Sequence, residues 1–242
     1  MSNPRTRKLR LLSPIAASML GAFTPFGASL VSMAGEKPGV TEGASAASAP
    51  GTAQTNTVRG QVVFEKSTRM KAKELENVVV WIELTDLAPQ ELAAMTASMP
   101  VATCNQQDMQ FIPHVLAAAV GQAVEFPNND SMFHGVQSRT GPKPFDLGIY
   151  GPGETQRLVF ESPGVAQLRC SVHSEMEGYI IVVPTPFFAA PERGGGFRFE
   201  NIPDRAFTVH AWHPRVEAGE LSAIVEGNVS DGFTVTFQNQ SK

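Results

Sequence analysis

The sequence predicts an all-β protein with two sandwiches, one larger and one smaller, and one short helix near residues 87–99. Three observations support this fold class. The 242 residues include 21 Gly and 18 Pro together with many Val and Phe, which favours short strands and turns. Several segments alternate apolar and polar residues, as half-buried strands do. The chain is also long enough for one large core or two small ones.

The first 34 residues differ from the rest of the chain. Four basic residues precede the uncharged, mostly apolar run Leu11–Ala34, and Ser32-Met33-Ala34 fits a cleavage site. We therefore expect a cleaved signal peptide over residues 1–34 and a periplasmic or secreted protein with no other membrane contact. An uncleaved membrane anchor is the alternative, because the run is just long enough to span a bilayer. Residues 35–56 are mostly small and polar, which predicts a flexible linker.

Export changes the charge balance. The leader holds four of the 19 basic residues and none of the 23 acidic ones, so the remaining chain carries 15 − 23 = −8. Such an acidic chain has too little positive charge to bind nucleic acid, whose phosphates it would have to neutralise. It is suited to a basic protein partner.

Strands are predicted along the rest of the chain. Val58–Phe64 is the first, and Asn77–Leu84 is apolar enough to be buried on both faces. Asp86–Met99 changes to a helical spacing of apolar residues and is either a short helix or an ordered loop. Val115–Val120 and Ala123–Phe126 flank Gly-Gln, which predicts a hairpin. The later predicted strands are Phe145–Tyr150, Gln156–Phe160, Val165–Cys170, Tyr179–Val183, Phe207–Trp212 and Phe233–Phe237.

The strand Val165–Cys170 ends in a short run of soft and borderline metal ligands. Alternation places Ala166, Leu168 and Cys170 on its inward face. His173 and Met176 follow at three-residue intervals, so a thiolate, an imidazole and a thioether lie on one loop. Two His, one Cys and a weak axial Met are the ligands of a mononuclear copper electron-transfer site.

A second histidine is available at His134, which follows a predicted strand end rich in turn formers. A Cys104–Cys170 disulfide is the competing interpretation, since an oxidising compartment favours it and it would consume the thiolate. The copper interpretation is preferred because a disulfide needs neither His173 nor Met176. It leaves Cys104 without a role.

The other histidines have simpler interpretations. His114 follows a proline at a strand start and is expected to be structural or to lie on the rim of the site. His210 and His213 are three apart in a predicted strand, so they point to opposite faces and do not share a metal.

The chain resembles the cupredoxins, with the loop spacing of amicyanin. The resemblance is carried by Phe111–Val115, Phe126–Asn128, Phe145–Gly148 and the Cys-x2-His-x2-Met loop, and it covers about 111–183. Similar exported, plastocyanin-like proteins are often labelled methylamine-utilisation proteins. The resemblance implies a Greek-key sandwich that binds one type 1 copper. It also implies the ligands, with His134, Cys170 and His173 equatorial and Met176 axial.

One position departs from this pattern. Many cupredoxins have Asn after the first histidine ligand, where it ties that segment to the cysteine loop. Gly135 has no side chain for this, which raises the question of how the site is held.

The flanking strands resemble a transthyretin-like or carboxypeptidase-regulatory-like sandwich. We expect residues 57–85 and 185–242 to form this smaller domain, split by a cupredoxin domain at 86–184. In the alternative, the early strands belong to the cupredoxin domain.

The expected function is single-electron transfer between redox partners, not catalysis. Arg169 and Ser171 flank Cys170, where copper enzymes often have a histidine that leads to a second copper. A rim of Met132 and Phe133 with Glu175 and Glu177 would suit a basic surface on a c-type cytochrome or a periplasmic dehydrogenase. Two alternatives stay open: a copper delivery or storage protein, and a non-redox binding sandwich with a vestigial site.

Overall fold

The computed structural model describes residues 55–84, 87–217, 221–229 and 231–239. The predicted leader and nearly all of the predicted linker lie outside these ranges. The first strand begins at Thr55, one residue before the predicted end of the linker at residue 56. Among the described residues no helix is long and apolar enough to cross a membrane.

The predicted all-β class is confirmed by the described residues. The helix expected near 87–99 is also present, as α1, and it begins at Pro89 with the Glu91 carboxylate accepting the Ala88 N–H at 3.1 Å. The first half of the chain contains β1 (Thr55–Phe64), β2 (Val79–Leu84), α1 (Pro89–Ala97), β3 (Ala102–Thr103), β4 (Asn105–Gln107), β5 (Gln110–Ile112), β6 (Val115–Ala119), β7 (Ala123–Pro127) and β8 (His134–Ser138). The second half contains β9 (Phe145–Tyr150), β10 (Thr155–Val159), β11 (Gly164–Cys170), β12 (Glu177–Val183), β13 (Phe188–Ala189), β14 (Gly196–Pro203), β15 (Phe207–Trp212), α2 (Pro214–Glu217), β16 (Leu221–Asn228) and β17 (Gly232–Asn239). Two 3₁₀ helices, Lys66–Thr68 and Ala72–Asn77, connect β1 to β2.

The strands from the two ends of the chain form one sandwich. Sheet A has the order β14-β1-β17-β16, and sheet B has the order β13-β2-β15. Alternate residues of both sheets, such as Val62, Ile82 and Phe237, are buried in a shared core. The strand β2 therefore pairs with C-terminal strands, and its Leu84 lies opposite Phe207.

The middle of the chain forms a second sandwich. Sheet C has the order β6-β12-β11-β8-β9, and sheet D has the order β10-β7-β3. Phe126 from sheet D and Leu168 from sheet C are fully buried in their common core. The hairpin β4–β5 lies beside this sandwich and bridges to Asn128 through Gln106.

Sheet B packs against another sheet on each of its two faces. One face packs on sheet A, and the other, with Val79 and Trp212, packs on Ile181 and Val183 of sheet C. The prediction that the strand ending at Leu84 is buried on both faces holds for Val79, Val80, Ile82 and Leu84, whereas Trp81 is half-buried and Glu83 is exposed. The four sheets consequently stack in the order A, B, C, D.

The predicted hairpin of Val115–Val120 and Ala123–Phe126 is wrong. The two strands form as β6 and β7, but β6 pairs with β12 and β7 pairs with β10 and β3. The turn between them crosses from one sheet to the other. Gln122 is buried in this turn, where it accepts the Ala119 N–H at 2.9 Å and donates to the Pro100 carbonyl at 2.8 Å. A hairpin and a crossover between sheets show the same alternation, so the sequence did not separate them.

Candidate metal centre

The candidate centre lies where β11 runs into the loop to β12. Ala166, Leu168 and Cys170 are all buried, as the alternation predicted. Two backbone hydrogen bonds close the loop: the Cys170 N–H donates to the Met176 carbonyl at 3.0 Å, and the Met176 N–H donates to the His173 carbonyl at 3.2 Å. The loop is thus a tight turn with fixed ends.

His134 is the first residue of β8, which pairs with β11 next to Cys170. Its imidazole is fully buried. The Cys170 Sγ lies 3.7 Å from the His134 Nδ1 and 3.8 Å from the His173 Nδ1, and the two Nδ1 atoms are 3.1 Å apart. These three side chains form the one cluster of potential metal ligands found in the described ranges. The structure thus brings together residues that are separated by up to 39 positions.

The spacing of these three donors fits a single metal ion. With zinc–ligand distances as a guide, about 2.3 Å to sulfur and about 2.0–2.1 Å to nitrogen, a trigonal plane gives sulfur–nitrogen distances of about 3.8 Å. The observed 3.7 and 3.8 Å agree with this value. The nitrogen–nitrogen distance of 3.1 Å is shorter than the about 3.5 Å of a regular plane and is within hydrogen-bonding range of the two imidazoles.

Met176 completes the predicted ligand set. Its side chain is 1% exposed and belongs to the core cluster that contains Cys170. A methionine thioether is the weak axial ligand of trigonal copper sites, which is the role predicted for Met176. The assignment of His134, Cys170, His173 and Met176 as ligands stays a prediction.

The sulfur of Cys170 accepts hydrogen bonds from its own loop. The backbone N–H groups of Val172 and His173 both point at Sγ from 3.4 Å. Donors of this kind stabilise a thiolate and tune the redox potential of a metal bound to it. The loop therefore supplies both a second ligand and the hydrogen bonds around the first.

Asp130 is a residue of the site that the sequence interpretation missed. Its Oδ2 lies 3.0 Å from the His134 Nε2 and accepts the Met109 N–H at 2.8 Å. The hydrogen bond from the Met109 N–H is the largest cause, and with the bond to His134 it lowers the pKa of Asp130 to about 2. The signal available in the sequence was an acidic residue four positions before the histidine, among residues that indicated only a turn.

Gly135 holds the site through its backbone and its lack of a side chain. The Ser171 N–H donates to the Gly135 carbonyl at 3.3 Å, which joins the β8 segment to the cysteine loop. A Cβ at Gly135 would lie 2.1 Å from the Ser171 Oγ and 3.0 Å from the Gly148 carbonyl oxygen. In place of an Asn side chain, a backbone hydrogen bond joins the two segments, and a side chain at 135 would crowd Ser171 and the Gly148 carbonyl.

The competing disulfide is not formed. Cys104 and Cys170 are both free and buried. Burial raises the pKa of the Cys104 thiol to about 12, so this thiol is protonated and unreactive at neutral pH. Cys104 belongs to the same core as Cys170, where it acts as a small apolar side chain.

The remaining histidines are not members of the cluster. His114 is exposed and contacts the Tyr179 ring edge-on at 5.7 Å. His210 stacks on Trp81 at 5.0 Å. His213 is buried, and its Nδ1 accepts the Arg215 N–H at 3.2 Å.

A partly apolar surface surrounds the accessible edge of the site. His173 is half-buried, and it lines a surface cavity of about 500 Å³ together with Met109, Val172 and Glu175. Phe133 is 61% exposed. Glu177, predicted to add negative charge, lies 3.5 Å from Arg169, which offsets part of that charge.

Comparisons with known proteins give partial structural likeness only. No protein-family model matches the chain, and no curated protein matches it. A purple cupredoxin from Nitrosopumilus maritimus is 26% identical over 34% of this chain and 99% of its own, with a TM-score of 0.32. An oxidised amicyanin variant is 19% identical over 43% of this chain and 99% of its own, with a TM-score of 0.33.

A copper-containing nitrite reductase from Thermus scotoductus SA-01 is 26% identical over 50% of this chain, with a TM-score of 0.34. The match spans 28% of that enzyme. All three TM-scores lie below 0.5, so the function is argued from the site itself.

Proposed function

We propose that this protein is an exported type 1 copper protein that carries single electrons between redox partners. The observation that carries the proposal is the convergence of one thiolate sulfur and two imidazole nitrogens at distances that suit one metal. The donor set also selects the metal. A His₂Cys plane with a nearby Met suits copper, whereas structural zinc sites are tetrahedral and usually richer in cysteine.

The side chains around the site are suited to electron transfer. Bound copper supplies a Cu(II)/Cu(I) couple, because imidazoles suit Cu(II) while thiolate and thioether stabilise Cu(I). His134, Cys170 and Met176 are buried, which keeps water away from three of the four proposed ligands. His173 is the half-buried one, so its ring edge is the proposed route for electrons to and from a partner.

A carrier is proposed here instead of an enzyme. Arg169 and Ser171, next to Cys170, offer no imidazole that would lead to a second metal. The proposed partner is a c-type cytochrome or a periplasmic dehydrogenase with an apolar contact area and basic residues around it. The exposed Phe133 and Val172 would meet the apolar area, and Glu175 would face the basic residues.

The proposed location and domain organisation come from the sequence. The basic and apolar leader supports export to the periplasm or beyond. Residues 86–184 are proposed to be a cupredoxin-like domain inserted into a smaller sandwich of residues 57–85 and 185–242. The pairing of β2 with β13 and β15 supports this division.

Copper loading of the purified chain tests the function. Wild-type protein with one equivalent of Cu(II) should become intensely blue, green or purple through thiolate-to-copper charge transfer, and ascorbate should bleach it reversibly. Cys170→Ser should abolish the colour. The matched variant Cys104→Ala, which removes the other buried thiol, should keep it. A colourless wild-type protein would refute the proposal, and copper that a weak chelator removes at once would favour delivery or storage.

A further inference from the structure

Asp130 contacts both the candidate metal site and the hairpin beside it. Its Oδ2 lies 3.0 Å from the His134 Nε2 and 2.8 Å from the Met109 backbone nitrogen, and its Oδ1 accepts the Ser131 N–H at 2.7 Å. The Asp130 side chain is 8% exposed, and that of His134 is fully buried. This carboxylate is therefore enclosed against the imidazole, unlike a carboxylate on a surface loop.

The contact determines which nitrogen of His134 can bind a metal. An ionised carboxylate can only accept hydrogen bonds, so the His134 Nε2 must carry the proton. In the neutral ring the Nδ1 then keeps a lone pair, and this atom is the one 3.7 Å from the Cys170 Sγ. The tautomer that the carboxylate selects is thus the one that a metal at the cluster needs.

The backbone around Asp130 is itself held in place. The fully buried Asn128 donates from Nδ2 to the carbonyls of Met132 at 2.9 Å and Tyr150 at 3.2 Å, and its Oδ1 accepts the Asp130 N–H at 3.1 Å. On the other side, Met109 has φ of +55°, an uncommon value for a residue with a side chain. The Asp130 carboxylate accepts the Met109 N–H and so holds Met109 in that conformation.

We propose that Asp130 is a positioning residue for the metal centre, which fixes the tautomer and orientation of His134 and lowers the reduction potential of the bound metal. The effect on the potential rests on the proposed copper function. A negative charge bonded to a ligand stabilises the more positive Cu(II) state over Cu(I). Removing the charge should therefore raise the potential.

Three substitutions separate the charge from the hydrogen bond. Asp130→Asn keeps an acceptor of the same shape but removes the charge. Asp130→Ala removes both, and Asp130→Glu restores both with one more methylene. Asp146→Asn is the matched control, because Asp146 is an exposed aspartate of sheet C that accepts the backbone N–H of Gly148 at 2.9 Å.

The first measurement needs no metal. Nitrogen-15 NMR of the His134 ring in the metal-free protein should show the Nε2-protonated tautomer with a slowly exchanging Nε2–H in wild type. Asp130→Ala should lose that slow exchange, and Asp146→Asn should keep it. An Nδ1-protonated ring in wild type, or a ring that Asp130→Ala leaves unchanged, would overturn the positioning role.

The second measurement uses copper and the whole mature chain. Asp130→Ala should bind copper about 10–100-fold more weakly in chelator competition, as removal of a residue that orients a ligand generally does. Both Asp130→Asn and Asp130→Ala should raise the reduction potential, and Asp130→Glu should return it toward wild type. Equal potentials in Asp130→Asn and Asp146→Asn would overturn the proposed tuning. Wild-type protein that binds no copper would instead refute the proposed function, and the NMR result would still decide the role of Asp130.

Discussion

The packing of sheet B on sheet C predicts that the two sandwiches unfold together. Ile181, on β12, is 3% exposed and lies in the apolar cluster between these sheets with Val79 and Trp212. The strand β12 begins directly after Met176, the last residue of the loop and five residues before Ile181. Substitution of Ile181 by Ala therefore tests whether the contact between the sandwiches stabilises the strand that holds the candidate site.

The expected loss follows from the atoms removed. Ile→Ala deletes three carbon atoms, worth about 2.4 kcal/mol at about 0.8 kcal/mol for each buried carbon. The cavity left behind adds to this, and buried Ile→Ala changes cost about 2–5 kcal/mol in general. We expect Ile181→Ala to lower the free energy of unfolding by about 3 kcal/mol. Ile149→Ala, the same change at a side chain that is 63% exposed, should cost less than about 0.5 kcal/mol.

Urea unfolding followed by two probes measures this. The chain has two tryptophans, Trp81 and Trp212, and both belong to the cluster between sheets B and C. Tryptophan fluorescence therefore reports that contact, while far-ultraviolet circular dichroism reports all strands. The two probes should give one coincident transition in wild type and Ile181→Ala. Separate transitions, or equal losses for Ile181→Ala and Ile149→Ala, would refute the packing argument.

Three further predictions concern the site, the smaller sandwich and the docking surface. Gly135→Ala should cost about 1–3 kcal/mol of unfolding free energy because its methyl overlaps the Ser171 Oγ, and adding Ser171→Gly should recover part of it; no recovery in chemical denaturation would contradict this contact. Burial lowers the pKa of His213 to about 4, so the folded state binds fewer protons than the unfolded state between pH 6.5 and 4. The free energy of unfolding should therefore decrease by at most about 3 kcal/mol as the pH is lowered from 6.5 to 4. An equal decrease in a His213→Phe variant would exclude His213 as the cause. Glu175→Gln should slow electron transfer to a basic cytochrome at low salt but not at high salt, whereas Phe133→Ala should slow it at both; stopped-flow rates that show no such difference would contradict the docking surface.

Local patterns predicted the part of the site that lies on one strand and loop. The alternation of Ala166, Leu168 and Cys170 and the three-residue spacing to His173 are properties of neighbouring residues, so the sequence contains them directly. The prediction that His134 approaches Cys170 rested on the ligand set of copper sites and on a family resemblance, because the two residues lie on different strands. The structure brings their side chains together, while their role as metal ligands stays a prediction.

Other parts of the site and the fold depend on tertiary contacts that no local pattern encodes. The hairpin β4–β5 is polar along Asn105–Gln107 and lacks a clear alternation, and it is held by its bridge to Asn128 and by the Asp130 carboxylate. Asp130 itself resembled a turn residue, since a carboxylate in a turn and one that orients an imidazole look the same in sequence. The crossover from β6 in sheet C to β7 in sheet D was missed because a hairpin and a crossover show the same alternation in sequence.

The antiparallel pairing of β2 with β13 has a consequence for protein engineering. Trp81 lies opposite Phe188, and the Ile82 N–H donates to the Phe187 carbonyl at 2.9 Å, so the chain returns beside the strand from which it departed. A tight turn in place of residues 85–184 could therefore reconnect β2 to β13. The shortened protein would lack the residues that cover Trp81 and Trp212. We expect it to self-associate in solution through these newly exposed rings.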